Sequence, residues 1–178
     1  MLKTISSFKE VEVTNGVKTL ILCDIDGTIL HFPDCDNFCK EFIKEICPLG
    51  PIDPAYNLEL ENMKDMYIRV RPPTHTDYDG FVSILDNIKQ MEGKLVFLTA
   101  RREECENWTK KQLKQIGINP EDFEIHYTGS VITKGEYIKR HIDLTGWEHV
   151  IFIDDYESFI KSVKDLHPQI VCYKFEAK

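Results

Sequence analysis

Three short stretches constrain the fold more than anything else in this chain. TLILCD (19–24), KLVFLTA (94–100) and HVIFIDD (149–155) are each apolar without interruption and then stop at polar groups. An amphipathic strand alternates, whereas an unbroken apolar run suits a strand covered on both faces, as in a parallel sheet. QIVCYKF (169–175) is a fourth such run, and DFEIHY (122–127) is a weaker fifth. The first three runs end at Asp24 and Asp26, at Thr99, and at Asp154 and Asp155.

Helical spacing fills the gaps between these runs. Phe81, Ile84, Leu85, Ile88 and Met91 fall on one helical face ahead of the second run. Cys105, Trp108, Gln112, Leu113 and Ile116 repeat the pattern after it, and Gly117 is placed to end that helix. TKGE (133–136) has the Thr-x-x-Glu form of a capping box, which predicts a helix start. Strands alternating with helices indicate an α/β domain with a mostly parallel sheet.

Residues 31–75 break the alternation. Asp34 is placed to cap a helix in which Cys35, Phe38, Cys39, Phe42 and Ile46 share a face. CPLGPIDP (47–54) interrupts it, and Leu60, Met63, Tyr67 and Val70 predict a second helix ending before Pro72. The expected organisation is a core made of 1–30 and 76–178, with 31–75 as a small helical cap inserted after the first strand. Asn15-Gly16 is also a strong hairpin signal. A hairpin partner would occupy an edge that a central parallel strand needs, so the turn is expected only to lead into TLILCD.

The chain has 178 residues, enough for one domain with a substantial core. Its formal charge of -8 argues against nucleic acid as a partner. The N-terminal MLKTISSFKEVEV lacks the apolar stretch of a signal peptide, and no segment approaches the length of a membrane span. A cytoplasmic protein without a membrane partner is therefore expected, its six cysteines reduced and mostly in the core.

Ligands bind beyond the carboxyl ends of strands in open parallel sheets, so the three polar run ends are predicted to converge on one crevice. Four carboxylates crowded together repel and cannot all stay ionised without a cation. A hard dication with oxygen ligands answers this, and Mg²⁺ suits a site shared by carboxylates, water and substrate phosphate. Lys134, at the start of the capped helix, adds charge where the helix dipole also favours an anion. Lys139, further along the same helix, is the alternative phosphate-binding lysine.

DIDGT (24–28), Thr99 at the end of LVFLT, Lys134 in TKGEYIKR and DD (154–155) after HVIFI together resemble the four ordered motifs of the haloacid dehalogenase-like (HAD) superfamily. The resemblance covers about 18–30 and 76–175. It implies a Rossmann-like three-layer core with a cap, and Mg²⁺ as cofactor. It implies that Asp24 is the nucleophile that forms an aspartyl-phosphate and that Asp26 is the general acid and then base. Thr99 and Lys134 would hold phosphoryl oxygens. Asp24, the Asp26 carbonyl, Asp154 and Asp155 would hold the metal. Apart from the resemblance, Arg101 and Arg102 follow Thr99 and Ala100 directly and are placed to reach a substrate anion. The alternative is a helix N-terminus with exposed arginines. Ala100 and Arg101 are the expected substrate-binding pair. An acid two residues after the nucleophile is typical of phosphatases and phosphomutases within the superfamily, not of dehalogenases or transport ATPases. The expectation is a phosphomonoester hydrolase acting on a small phosphorylated molecule. A catalytically silent module that binds phosphate or protein, and a phosphatase for nucleic-acid ends, are the alternatives.

Overall fold

The computed structural model describes residues 2–129 and 131–177. Its strands are β1 (Leu2–Ile5), β2 (Thr19–Cys23), β3 (Leu30–His31), β4 (Thr74–His75), β5 (Lys94–Thr99), β6 (Glu124–Tyr127), β7 (His149–Asp154) and β8 (Val171–Phe175). Its α-helices are α1 (Cys35–Ile46), α2 (Tyr56–Val70), α3 (Tyr78–Gln90), α4 (Glu106–Gln115), α5 (Lys134–His141) and α6 (Glu157–Leu166). Among the described residues, one six-stranded sheet runs in the order β1-β8-β7-β2-β5-β6, and every pairing in it is parallel.

The three apolar runs are the three central strands. Thr19 to Cys23 are all buried in β2, as expected for a strand hydrogen-bonded on both edges and covered on both faces. Successive side chains divide between the two faces. Leu20, Leu22, Val96, Leu98, Val150 and Phe152 pack with Ile138 of α5 and with Ile160 and Val163 of α6. On the other face Phe97 stacks with Phe81 of α3 at 6.2 Å, and Phe175 with Phe8 at 4.8 Å between ring centres. Each such side chain, fully buried, contributes roughly 1.5–3 kcal/mol.

Asn15-Gly16 makes a turn, with Gly16 at φ +75° and Val17 N–H donating to Thr14 O. It makes no hairpin: β2 is flanked by β5 and β7. The strand nearest the N-terminus, β1, instead pairs with β8 at the sheet edge, and the short polar-flanked LKTI gave no pattern that marked it as a strand.

The chain divides into two compact units, Met1–His31 with His75–Lys178, and Phe32–Thr74. In the second unit α1 buries Cys39 and Ile43, with Cys47 just past its end. Phe38, Phe42 and Ile46, expected on the buried face, lie beside that line and are partly exposed. The face is turned by one residue, so the larger side chains form its border: Phe38 stacks on Phe42 and packs against Tyr67 of α2. Asp34 occupies the N-cap position at φ 64°, but its carboxylate makes no capping bond. Of the apolar positions expected on α2, Met63 and Tyr67 are buried and Val70 is exposed. Within the described residues the cysteines are all free thiols.

Candidate active site

β2 ends at Cys23, and Asp24 follows directly, with its N–H donating to the Ile153 carbonyl of β7 (2.9 Å). The register sets Cys23 opposite both Phe97 and Ile153, so the chain leaves the three strands side by side. A tight reversal comes next. The N–H groups of Ile29 and Leu30 both donate to Ile25 O, and Gly27 N–H donates to Leu30 O. Gly27 sits at φ +79°, a region a side chain disfavours, and a Cβ there would collide with the Asp155 carboxylate. Glycine at this position lets the backbone turn and lets Asp155 approach.

Lys134 is the first residue of α5. Thr133 caps that helix by accepting from Glu136 N–H (3.2 Å). The Lys134 side chain has 0% exposure, and its ammonium donates to Asp24 Oδ1 and to Asp154 Oδ2, the latter at 2.7 Å. The rings of Phe159 and Phe152 stand 4.8 and 5.8 Å from Nζ. Lys139 is exposed on the same helix, so Lys134 is the lysine that reaches the aspartates. Asp154 also accepts from Tyr156 N–H at 2.8 Å, which leads the chain into α6.

Carboxylate oxygens of Asp24, Asp154 and Asp155 lie within 4.8 Å of one another. Burial pushes Asp24 well above the usual carboxylate range, against the pull of Lys134 and with added repulsion from Asp154, Asp155 and Asp26. Burial and then Asp154 push Asp155 up to about 7. Lys134 goes the other way: burial disfavours its charge, but Asp24 and Asp154 outweigh that and raise it. Three carboxylates share the single ammonium of Lys134, so when ionised they carry more negative charge than it neutralises. An all-oxygen donor set with surplus charge fits a hard divalent cation.

Asp26 points elsewhere. Both of its oxygens accept from Arg101, Oδ2 from Nε (2.8 Å) and Oδ1 from Nη2 (2.6 Å). Arg101 lies in the turn after β5, with Ala100 preceding it. Thr99 ends β5, fully buried, and its hydroxyl oxygen accepts from Arg101 N–H (3.2 Å). The structure thus brings Asp24, Asp154, Asp155 and Lys134 into one cluster and joins Asp26, Thr99 and Arg101 in a second set of contacts. The pairing of Arg101 with Asp26 had no signal in the sequence, because nothing local links positions separated by most of the core.

No protein-family model and no curated protein sequence matches the chain. Solved structures do. A hydrolase from Streptococcus pneumoniae TIGR4 superposes with a TM-score of 0.52 at 10% identity, over 91% of this chain and 94% of that one. A β-phosphoglucomutase, so described only provisionally, from Thermotoga maritima gives 0.51 at 12% identity, over 85% and 83%. The chain shares its fold with these two structures. A component of a Pnkp1/Rnl/Hen1 complex gives 0.50 at 15% identity; 93% of this chain matches and spans about half of that component, 48%. At such identities these are likenesses of fold. The aspartate and lysine cluster lies where the central parallel strands end. No helix among the described residues is long and apolar enough to cross a membrane.

Proposed function

We propose that this chain is a HAD-like, Mg²⁺-dependent phosphomonoester hydrolase that works through an aspartyl-phosphate. One observation supports this reading above the others: Asp24 and Asp154, at the ends of adjacent central strands, share a fully buried Lys134 beside Asp155. A structural ion pair does not need the surplus acid.

In this reading Asp24 attacks phosphorus, its oxygen forms the new P–O bond, and the bond to the leaving oxygen breaks. Asp26 gives that oxygen a proton. It then takes a proton from the water that attacks phosphorus and releases Asp24 and phosphate. Lys134 has three N–H donors, and the two aspartates take two, leaving one for a phosphoryl oxygen. The Thr99 hydroxyl, whose oxygen already accepts from Arg101 N–H, keeps its own proton to donate to the phosphoryl group. Asp24, Asp154 and Asp155, with the Asp26 carbonyl, would hold Mg²⁺, which when bound offsets charge on the phosphoryl oxygens.

The test is phosphate release from p-nitrophenyl phosphate with and without Mg²⁺, and trapping by beryllium fluoride. Asp24→Asn should lower turnover by several orders of magnitude and abolish the adduct. No turnover across sugar phosphates, nucleotides, phosphopeptides and phospholipid head groups in Mg²⁺ would refute the proposal.

A further inference from the structure

Arg101 is built into the core more firmly than a residue that waits for substrate needs to be. Its side chain is 7% exposed, and Asp26 is 30% exposed. Nε and Nη2 form a two-pronged fork onto Asp26, and Nη1 donates to Thr109 Oγ1 of α4 at 2.9 Å. The Trp108 ring lies 5.2 Å from the guanidinium carbon. The backbone is held as well, by Thr99 Oγ1 on the N–H side and by Gly129 N–H, which donates to Arg101 O (3.0 Å). Three of the five N–H donors are thus committed inside the protein, and the planar group has little freedom to turn.

Asp26 has the opposite character. It follows a strand end, precedes the Gly27 reversal and is the more exposed partner. A carboxylate on such a loop has two free torsions, and proton transfer requires it to be aimed within hydrogen-bond reach of the leaving oxygen. A fork that grips both oxygens fixes the plane of the carboxylate and still leaves lone-pair directions on each oxygen.

We propose that Arg101 is the positioning residue of Asp26, carrying rigidity from Thr109 and Trp108 on α4 to the group that moves the proton. This rests on the phosphatase reading. It also replaces the expectation from the sequence that Arg101 meets a substrate anion directly.

The two roles differ in a measurable way. Departure of a dinitrophenolate needs no proton, whereas departure of a phenolate does. The value of kcat/KM reports steps up to leaving-group departure, so it should be measured on dinitrophenyl, p-nitrophenyl and phenyl phosphates. Arg101→Lys keeps the charge and loses the fork. It should leave kcat/KM on the dinitrophenyl ester within about twofold and lower it on the phenyl ester by about 10- to 100-fold. Asp26→Asn should show the same dependence, and adding Arg101→Lys to it should cost nothing more, since a residue acting through Asp26 has nothing left to position. Thr109→Val, which keeps the fork and loosens its anchor, should show a weaker form of the same dependence. It serves as the test variant if thermal melting shows Arg101→Lys to be unfolded. Equal losses on all esters, or losses that multiply in the double variant, would overturn the positioning role in favour of substrate binding. Wild-type protein inactive on every ester would overturn the phosphatase reading itself, a failure visible before any variant is made.

Discussion

Lys134 shows how far a single side chain can organise this site. A buried ammonium with two aspartates and two aromatic rings around it is held by partners drawn from three strand and helix ends. Removing one partner of a buried charge set leaves the others uncompensated. Lys134→Met should therefore destabilise the protein by roughly 3–5 kcal/mol in urea unfolding without divalent ions, with part of the loss restored by Mg²⁺. Asp155 gives a prediction in pH. Burial and Asp154 raise it from the ordinary carboxylate range to about 7. Between those values the folded state binds more protons than the unfolded state, so this group lowers stability as pH rises from about 4 to about 7. Asp155→Asn should melt with the wild type near pH 4 in EDTA and above it at pH 8. Melting curves that stay parallel across that range would contradict the assignment.

At the scale of elements, the sequence was readable where periodicity and local chemistry agree. The unbroken runs marked β2, β5 and β7, and the Thr-x-x-Glu box marked α5, because burial on two faces and capping are written in neighbouring residues. Short β1 and the orientation of α1 were not readable. An edge strand buries little, and a helix face is chosen by what covers it. Packing also decides the tolerance of Gly135, the second residue of α5. A Cβ at that position would run into the Ser162 carbonyl oxygen of α6. Gly135→Ala should force the helices apart, cost about 1–3 kcal/mol and carry Lys134 away from Asp24. A denaturant midpoint together with the Mg²⁺-dependent rate on p-nitrophenyl phosphate would check both effects.

For the whole molecule, the division into two units has a consequence for folding. Within the larger unit, Thr76 N–H donates to Ile29 O (3.1 Å) and its hydroxyl to Thr28 O (2.5 Å), so the two chain ends flanking the insertion stand side by side. The six-stranded sheet draws no strand from Phe32–Thr74. Replacing residues 32–74 by a short Gly/Ser linker should leave a core that unfolds cooperatively and is stabilised by Mg²⁺, as measured by thermal melting. By itself the sequence determined the α/β class, the central strands, and which aspartates, threonine and lysine stand at strand and helix ends, because those follow from apolar period and capping within a few residues. Only the tertiary structure decided that Lys134 rather than Lys139 meets Asp24 and Asp154, and that Arg101 grips Asp26. Those contacts join positions far apart in the chain, and their geometry is set by how the strands align and the helices pack.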